Sequence, residues 1–313
     1  ITFGFAVAQQ FNDMKNLALT QQISLTKAYQ RFVPPQLLQN LGRTSILDVK
    51  LGDQVDVEMS ILFSDIRSFT ALSEAMSPSE NFAFVNAYLS RMGPIIRSRN
   101  GYIDKFMGDG VMALFPESVT DAVLAAVEMQ KELDRYNEQQ NQAGAPLIDI
   151  GVGINTGRMM LGTLGEADRM EGSVISDAVN LASRLEALTK RYGSKVIISE
   201  HTYRQLDTSK IACREIDSVV VKGKDTPVRI FEVIDGEPPK LARLKRDDLA
   251  KFKKALSLYK DQKFAEARDL FAVILRHSEN DNVASLYLER CDRLLEEGWD
   301  PKTWDWVERL ETK

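Results

Sequence analysis

The chain is 313 residues long, 44% apolar and 27% charged, with a formal net charge of -5. That length predicts a main domain with appendages, and the composition is that of an ordinary globular protein. Mild acidity without an evident basic face argues against nucleic acid as a partner, while Cys213 and Cys291, far apart and without metal-ligand spacing, read as buried thiols rather than a disulfide or zinc site.

No run reaches the roughly 18 apolar residues that would span a bilayer. The chain opens on ITFGFAVA without an initiating methionine. Two readings stay open for this start: the remainder of an upstream membrane or sensor region, or an apolar beginning to a helix. From 9 to 33, Phe11, Ala18, Leu25 and Phe32 recur every seven residues, with Met14, Gln21 and Ala28 between them. The spacing predicts a parallel coiled-coil seam stopped by Pro34 and Pro35; the plainer alternative is an amphipathic helix lying on its own domain.

MSILFSDI is a short apolar run that suits a buried strand delivering Asp65 at its tip. Ser77-Pro78-Ser79-Glu80 combines a capping box with proline at the first helical position, so a helix should run to about Arg97. YIDKF and GVMALF form a predicted hairpin around Met107-Gly108-Asp109, and 120–141 is helical. LIDIGVGINTG and RMMLGTLG read as a second strand pair, followed by the helix DAVNLASRLEALTKRYG with Gly193 as its C-cap. KVIIS and TPVRIFEV are later strands. Strand, helix, two strands, helix, strand is the ferredoxin-like βαββαβ order, which predicts an α+β sandwich with one open sheet face.

After Pro238-Pro239 no convincing strand is expected between 246 and 310, and the spacing of Ala255, Tyr259, Phe264, Ala267 and Phe271 resembles one tetratricopeptide helix pair. A single such unit cannot bury both its faces, so it is expected to cap the core, with a docking surface as the alternative. The predicted organisation is an N-terminal helical segment (1–45), the α+β domain (46–236) and an all-α extension (237–313).

In a ferredoxin-like sheet the tip of the first strand and the bend of the first hairpin are neighbours, so Asp65 and Asp109 can point at one spot. Two unpaired carboxylates held that close raise a pKa or call for a cation. For the pair, with glycine on both sides of Asp109, a divalent metal with oxygen ligands and nucleotide phosphates is the favoured reading over two turn caps. GVGINTG fails the G-x-G-x-x-G template of a dinucleotide loop, and MGDGV is not the GG[DE]EF-like bend of a diguanylate cyclase.

FSDIRSFT, DKFMGDGVMALF, NTGRMMLG and SDAVNLASRLE, in that order over roughly 57–235, resemble the catalytic domain of class III nucleotidyl cyclases, in the adenylate cyclase form found in bacteria. The resemblance implies two Mg2+ or Mn2+ ions held by Asp65, Asp109 and the carbonyl of Ile66. It implies Lys105 and Ser173 at the purine, an adenine-reading pair, since guanine readers carry an acidic and a cysteine-like residue there. Asn180 and Arg184, at i and i+4 on one helix, would orient the ribose and stabilise the transferring phosphoryl. Arg158 and Lys222 would bind the triphosphate, with Lys224 a competitor for the last role. Taken alone, Arg184 would read as a solvated charge paired with Glu186 or Asp177.

The implied reaction converts ATP to 3′,5′-cyclic AMP and pyrophosphate by in-line attack of the ribose 3′-hydroxyl. In the family the aspartates and Arg158 come from one protomer and the remaining residues from the other, which implies an active homodimer and an inactive monomer. Ser176 stands where relatives commonly have glycine; it either cramps the nucleotide or does nothing. A guanylate cyclase and a non-catalytic dimerisation module are the alternatives, the second weakened by retention of Asp65, Asp109, Lys105, Asn180 and Arg184. The expected setting is a cytoplasmic domain, with an upstream sensor or inner-membrane anchor acting through the N-terminal helix.

Overall fold

The computed structural model describes residues 2–142, 144–220 and 226–309, side chains of 2–8 excepted. They fall into two compact units, Ile1–Val55 with Met160–Val174 and Asp56–Met159 with Ile175–Lys313. The first unit opens with helix α1 (Thr2–Tyr29), whose side chains Phe11, Met14 and Leu25 are exposed. Helix α2 (Pro35–Asn40) follows, with Pro35 in its first turn, where a missing N–H costs nothing. Arg43 clasps Asp53 through Nε and Nη2 at 3.1 and 3.0 Å.

The second unit is built on a sheet. In chain order its elements begin with β1 (Gln54–Ile66), α3 (Phe69–Glu74), α4 (Pro78–Ser98), the hairpin β2 (Tyr102–Met107) and β3 (Gly110–Phe115), and α5 (Val119–Gln142). Next come β4 (Ile150–Glu166, from Met160 onward counted in the first unit), β5 (Arg169–Ile175, up to Val174 counted in the first unit), α6 (Asp177–Tyr192), β6 (Val196–Ser199), α7 (Glu200–Gln205), β7 (Cys213–Val220) and β8 (Val228–Val233). Helices α8 (Pro239–Asp247), α9 (Leu249–Lys260), α10 (Phe264–His277) and α11 (Asn282–Glu297) and strand β9 (Val307–Arg309) complete the described chain.

The strand order is β2-β3-β1-β4-β6-β8-β7-β9, with β5 paired to β4. Its first four strands, crossed by α4 and α5, are the ferredoxin-like arrangement, and the fold is α+β. β1 lies antiparallel to β3 with Ser64 opposite Val111, so the tip of β1 meets the start of β3. Ser77 and Glu80 form the capping box at the start of α4. Gly193, at φ 60°, ends α6.

Three sequence expectations are corrected. The stretch taken for a strand pair, 147–165, instead supplies one continuous strand, β4, from Ile150 to Glu166, whose partner β5 follows the turn at Ala167-Asp168. Gly157, which looks like a break, is needed for close approach instead: a Cβ there would fall 3.0 Å from that of Ala178 on α6. Strand β9 lies in a region expected to be all-helical; three residues of strand carry too little periodicity to be read. The second sheet face is not open throughout.

One core joins Leu62, Ile66, Val111, Phe115, Ile150 and Ile154 of the sheet to Tyr88, Met92 and Ile96 of α4 and to Val123, Met129 and Leu133 of α5. A second core joins Leu181, Leu185 and Tyr192 of α6 and Ile197, Ile216 and Ile230 of the sheet to Phe252, Tyr259, Phe264, Phe271 and Tyr287 of the C-terminal helices. That end of the sheet is therefore covered by α6 and α9–α11. Cys213 and Cys291 are free thiols. Among the described residues no helix is long and apolar enough to cross a membrane.

Candidate active site

The site begins at the tip of β1. Met59–Ser64 are buried, and the strand then presents Asp65 before returning Ile66 to the core. On the neighbouring hairpin, Gly108 takes the left-handed conformation (φ 68°) that the turn requires, which brings Asp109 round. A Cβ at Gly110 would sit 3.2 Å from the Met107 carbonyl oxygen and 3.4 Å from Asp65 Oδ1, so the start of β3 lies against the Asp65 carboxylate.

Asp109 is buried, and its Oδ2 accepts the Ile66 N–H at 3.1 Å. Partial burial, a hydrogen bond shared with Asp109 and repulsion from it push the Asp65 carboxyl up to about 7. Beneath them the buried Tyr88 hydroxyl lies 3.2 Å from Ser64 Oγ, its pKa raised chiefly by burial. Two adjoining carboxylates and the Ile66 main chain form a hard oxygen donor set that suits Mg2+ or Mn2+. Among the described residues no group of three or more His, Cys, Asp or Glu is arranged to hold a metal, so such an ion would draw remaining ligands from carbonyl, water or substrate oxygens.

Helix α6 carries the second cluster. Ser176 is its N-cap: its Oγ accepts the Ala178 N–H at 3.0 Å and donates to the Arg158 carbonyl at 2.6 Å. Ser176 thus ties the helix start to β4. Leu181, Leu185 and Leu188 turn inward, leaving Asn180 exposed and Arg184 half-buried. Among the described residues neither makes an ion pair or side-chain hydrogen bond, so the pairing of Arg184 with Glu186 or Asp177 is not formed.

Arg158, on β4, is solvent-facing and held by Asp56, Nη2 to Oδ2 at 2.5 Å. Lys105 sits on β2 opposite Met112, 3.5 Å from the Asp104 carboxylate. Ser173 lies on β5, in the first unit, next to Gly172, which packs against Leu37. Lys222 and its competitor Lys224 lie outside the described residues. One chain therefore brings Asp65, Ile66 and Asp109 together and sets Asn180 and Arg184 side by side, and among the described residues no hydrogen bond or ion pair joins the two groups.

Two residues escaped the sequence reading. Arg67, directly after Ile66, donates from Nη2 to the Ser194 carbonyl at 2.7 Å and the Thr189 carbonyl at 3.3 Å, pinning the end of β1 to the end of α6. A cation is favourable against such helix-terminal carbonyls. Glu186 is raised to about 7 by burial, then by repulsion from Asp65. Its one sequence signal is its place four residues after the buried Ala182, on the side of α6 that faces the sheet.

Paired carboxylates at adjoining strand tips of a ferredoxin-like sheet define a class of catalytic domain suited to divalent-cation chemistry on phosphates. The family model for the adenylate and guanylate cyclase catalytic domain matches residues 53–233, and the chain belongs to that family. It is 41% identical over 241 residues to an adenylate cyclase of Anabaena cylindrica, covering 73% of this chain and 47% of the relative. It is 37% identical over 282 residues to the terminal-differentiation specific adenylate cyclase of Dictyostelium discoideum, covering 88% of this chain and 13% of that one. The chain thus spans about half the length of the first relative and a small part of the second.

Among solved structures, the adenylyl cyclase CyaB of P. aeruginosa superposes with a TM-score of 0.53 at 34% identity, covering 57% of this chain and 95% of that one. The guanylyl cyclase Cya2 superposes with a TM-score of 0.52 at 32% identity, covering 59% and 95%.

Proposed function

We propose that this chain is an adenylate cyclase domain, forming 3′,5′-cyclic AMP and pyrophosphate from ATP at sites shared between two copies. The observation that carries the reading is the acidic pair: the buried Asp109, its Oδ2 accepting the Ile66 N–H at 3.1 Å, stands beside Asp65, whose carboxyl burial and Asp109 push up to about 7. Mg2+ or Mn2+ bound there, two ions in the family's manner, would acidify the ribose 3′-hydroxyl and offset triphosphate charge. The names of the Anabaena and Dictyostelium relatives support adenine over guanine.

The chain's own residues divide the remaining work. Lys105 donates to adenine N1, an atom that carries a proton in guanine, and Ser173 offers its hydroxyl beside it. Asn180 orients the ribose. Arg184 answers the charge that builds on the α-phosphoryl as the 3′-oxygen attacks and the bond to the bridging oxygen breaks. Arg158 is freed for the triphosphate by giving up its exposed pair with Asp56, and Lys222 joins it. Asn180, exposed, and Arg184, half-buried, stand on a separate element from the aspartates and have no side-chain partner among the described residues, which suits a site completed by a second copy. The division into 1–45, 46–236 and 237–313, with α1 pairing across the dimer to bring in an upstream signal, belongs to the same proposal.

Purified chain with Mn2+ should turn over ATP and leave GTP largely unconverted; dominant cyclic GMP would favour the guanylate reading, and neither product a non-catalytic module. Asp65→Asn and Arg184→Ala chains, each silent alone, should recover activity when mixed. Failure of two folded parents to do so would remove the shared site.

A further inference from the structure

The motif GVGINTG, residues 151–157, fails the spacing of a dinucleotide loop, and it lies within β4 rather than in a loop. Its glycines face α6. A Cβ at Gly151 would fall 2.2 Å from Thr189 Oγ1, at Gly153 2.1 Å from the Glu186 nitrogen, and at Gly157 3.0 Å from Ala178 Cβ. The helix therefore lies directly on the strand along most of its length. Such contacts set a distance but no register, because they contain no directional bond.

Asn155, 2% exposed, supplies the direction. Its Nδ2 donates to the Ala178 carbonyl at 2.9 Å, and its Oδ1 accepts from Ser199 Oγ at 2.6 Å. A carbonyl can only accept, which fixes the orientation of the amide. Ser199 is held in turn by Thr202 at 3.2 Å, Thr202 by Thr156 at 3.1 Å, and Thr156 by Ser60 at 2.8 Å. This buried chain anchors Asn155 to β1, β4 and α7. The Ser176 bond to Arg158 lies at the more exposed start of the helix, where water can replace it; the Asn155 bond lies inside.

We propose that Asn155 is a positioning residue for the cyclase reaction, its amide setting the register of α6 on β4 and so placing Asn180 and Arg184. This rests on the shared-site reading above. Ala178 precedes Asn180 by two residues and Arg184 by six, so a slip at Ala178 is passed rigidly to both.

The test uses the complementing mixture, in which one live site takes Arg184 from the Asp65→Asn chain and Asp65 from the Arg184→Ala chain. Asn155→Leu placed in the chain that supplies Arg184 should lower the restored kcat about 10- to 100-fold, with KM for ATP moving less than about threefold. The same substitution in the chain that supplies Asp65 should cost several-fold less. Ser199→Ala, which keeps Asn155 but frees its amide, should show the same asymmetry at about 3- to 10-fold and serves if Asn155→Leu folds poorly. Equal losses in the two placements would make Asn155 a packing residue and overturn the inference alone. A parent mixture without restored activity would remove the shared site and this inference with it.

Discussion

At the tail end of the sheet Glu232, Asp217 and Asp281 are fully buried, and each meets an arginine or lysine at 2.6–2.7 Å; at the tip of β1, Asp65 and Asp109 meet each other. Arg214 bridges Glu232 and Asp281 with its guanidinium over the Phe252 ring, and Arg290 reaches Asp217, which also accepts the Tyr192 hydroxyl. Burial works to raise the Glu232 carboxyl, but Arg214 and Lys245 outweigh it and leave it below the ordinary carboxylate range. Among the described residues no cation compensates Asp65 in this way, and its carboxyl rises. Carboxylates with built-in counter-charges hold the tail to the sheet, whereas uncompensated ones keep a place for a charge that must arrive from outside.

The largest effect that would sharpen this contrast is catalytic. Asp109→Asn keeps an acceptor for the Ile66 N–H but removes the charge, so cyclic AMP formation should fall by about 1,000-fold or more. The thermal midpoint of the same variant without divalent cation should hold or rise, since a repulsive charge is gone. A clear loss of stability would put Asp109 with the structural carboxylates.

Arg214→Met should do the reverse. It leaves Glu232 and Asp281 buried without their shared partner, and unfolding free energy by chemical denaturation should drop by about 3–5 kcal/mol. An unchanged midpoint would break the comparison at its structural end.

The pH dependence is subtler. Because Asp65 titrates near 7 when folded and near the ordinary carboxylate value of about 4 when unfolded, the folded chain holds the extra proton between them. This contribution is full below about pH 4 and is lost as pH rises through 7. Thermal melts in chelator should therefore fall across that window, and Asp65→Asn should flatten the slope; Glu186 and Glu237, also raised to about 7, retain part of it. Mn2+ must displace the Asp65 proton, so its affinity should increase over the same range.

The smallest effect belongs to the surface pair. Asp56→Ala frees the exposed Arg158, and stability should not move measurably while KM for ATP changes by less than about threefold.

Much of the fold was legible because its signals are local. The Ser77–Glu80 capping box, the turn at Gly108-Asp109 and the Gly193 cap each depend on a few adjacent residues, and each formed as read. Asp65 and Asp109 could be paired from strand order alone. What misled was glycine in β4: Gly153 and Gly157 look like chain breaks, yet they answer to α6, a helix more than twenty residues further on. Arg67 and Asn155 were invisible for the same reason, since their partners at Ser194, Thr189 and Ala178 come together only when α6 lies down on the sheet.

The sequence by itself determined the βαββαβ order of the core, the family and the residue types at each motif, because periodicity, caps and turn chemistry act over a few residues. Only the tertiary structure decided which carboxylates are matched by a cation and which are left facing each other, and where α6 rests on β4. Those depend on charges and backbones brought together from distant parts of the chain, where burial makes an unmatched group costly and a direct contact specific.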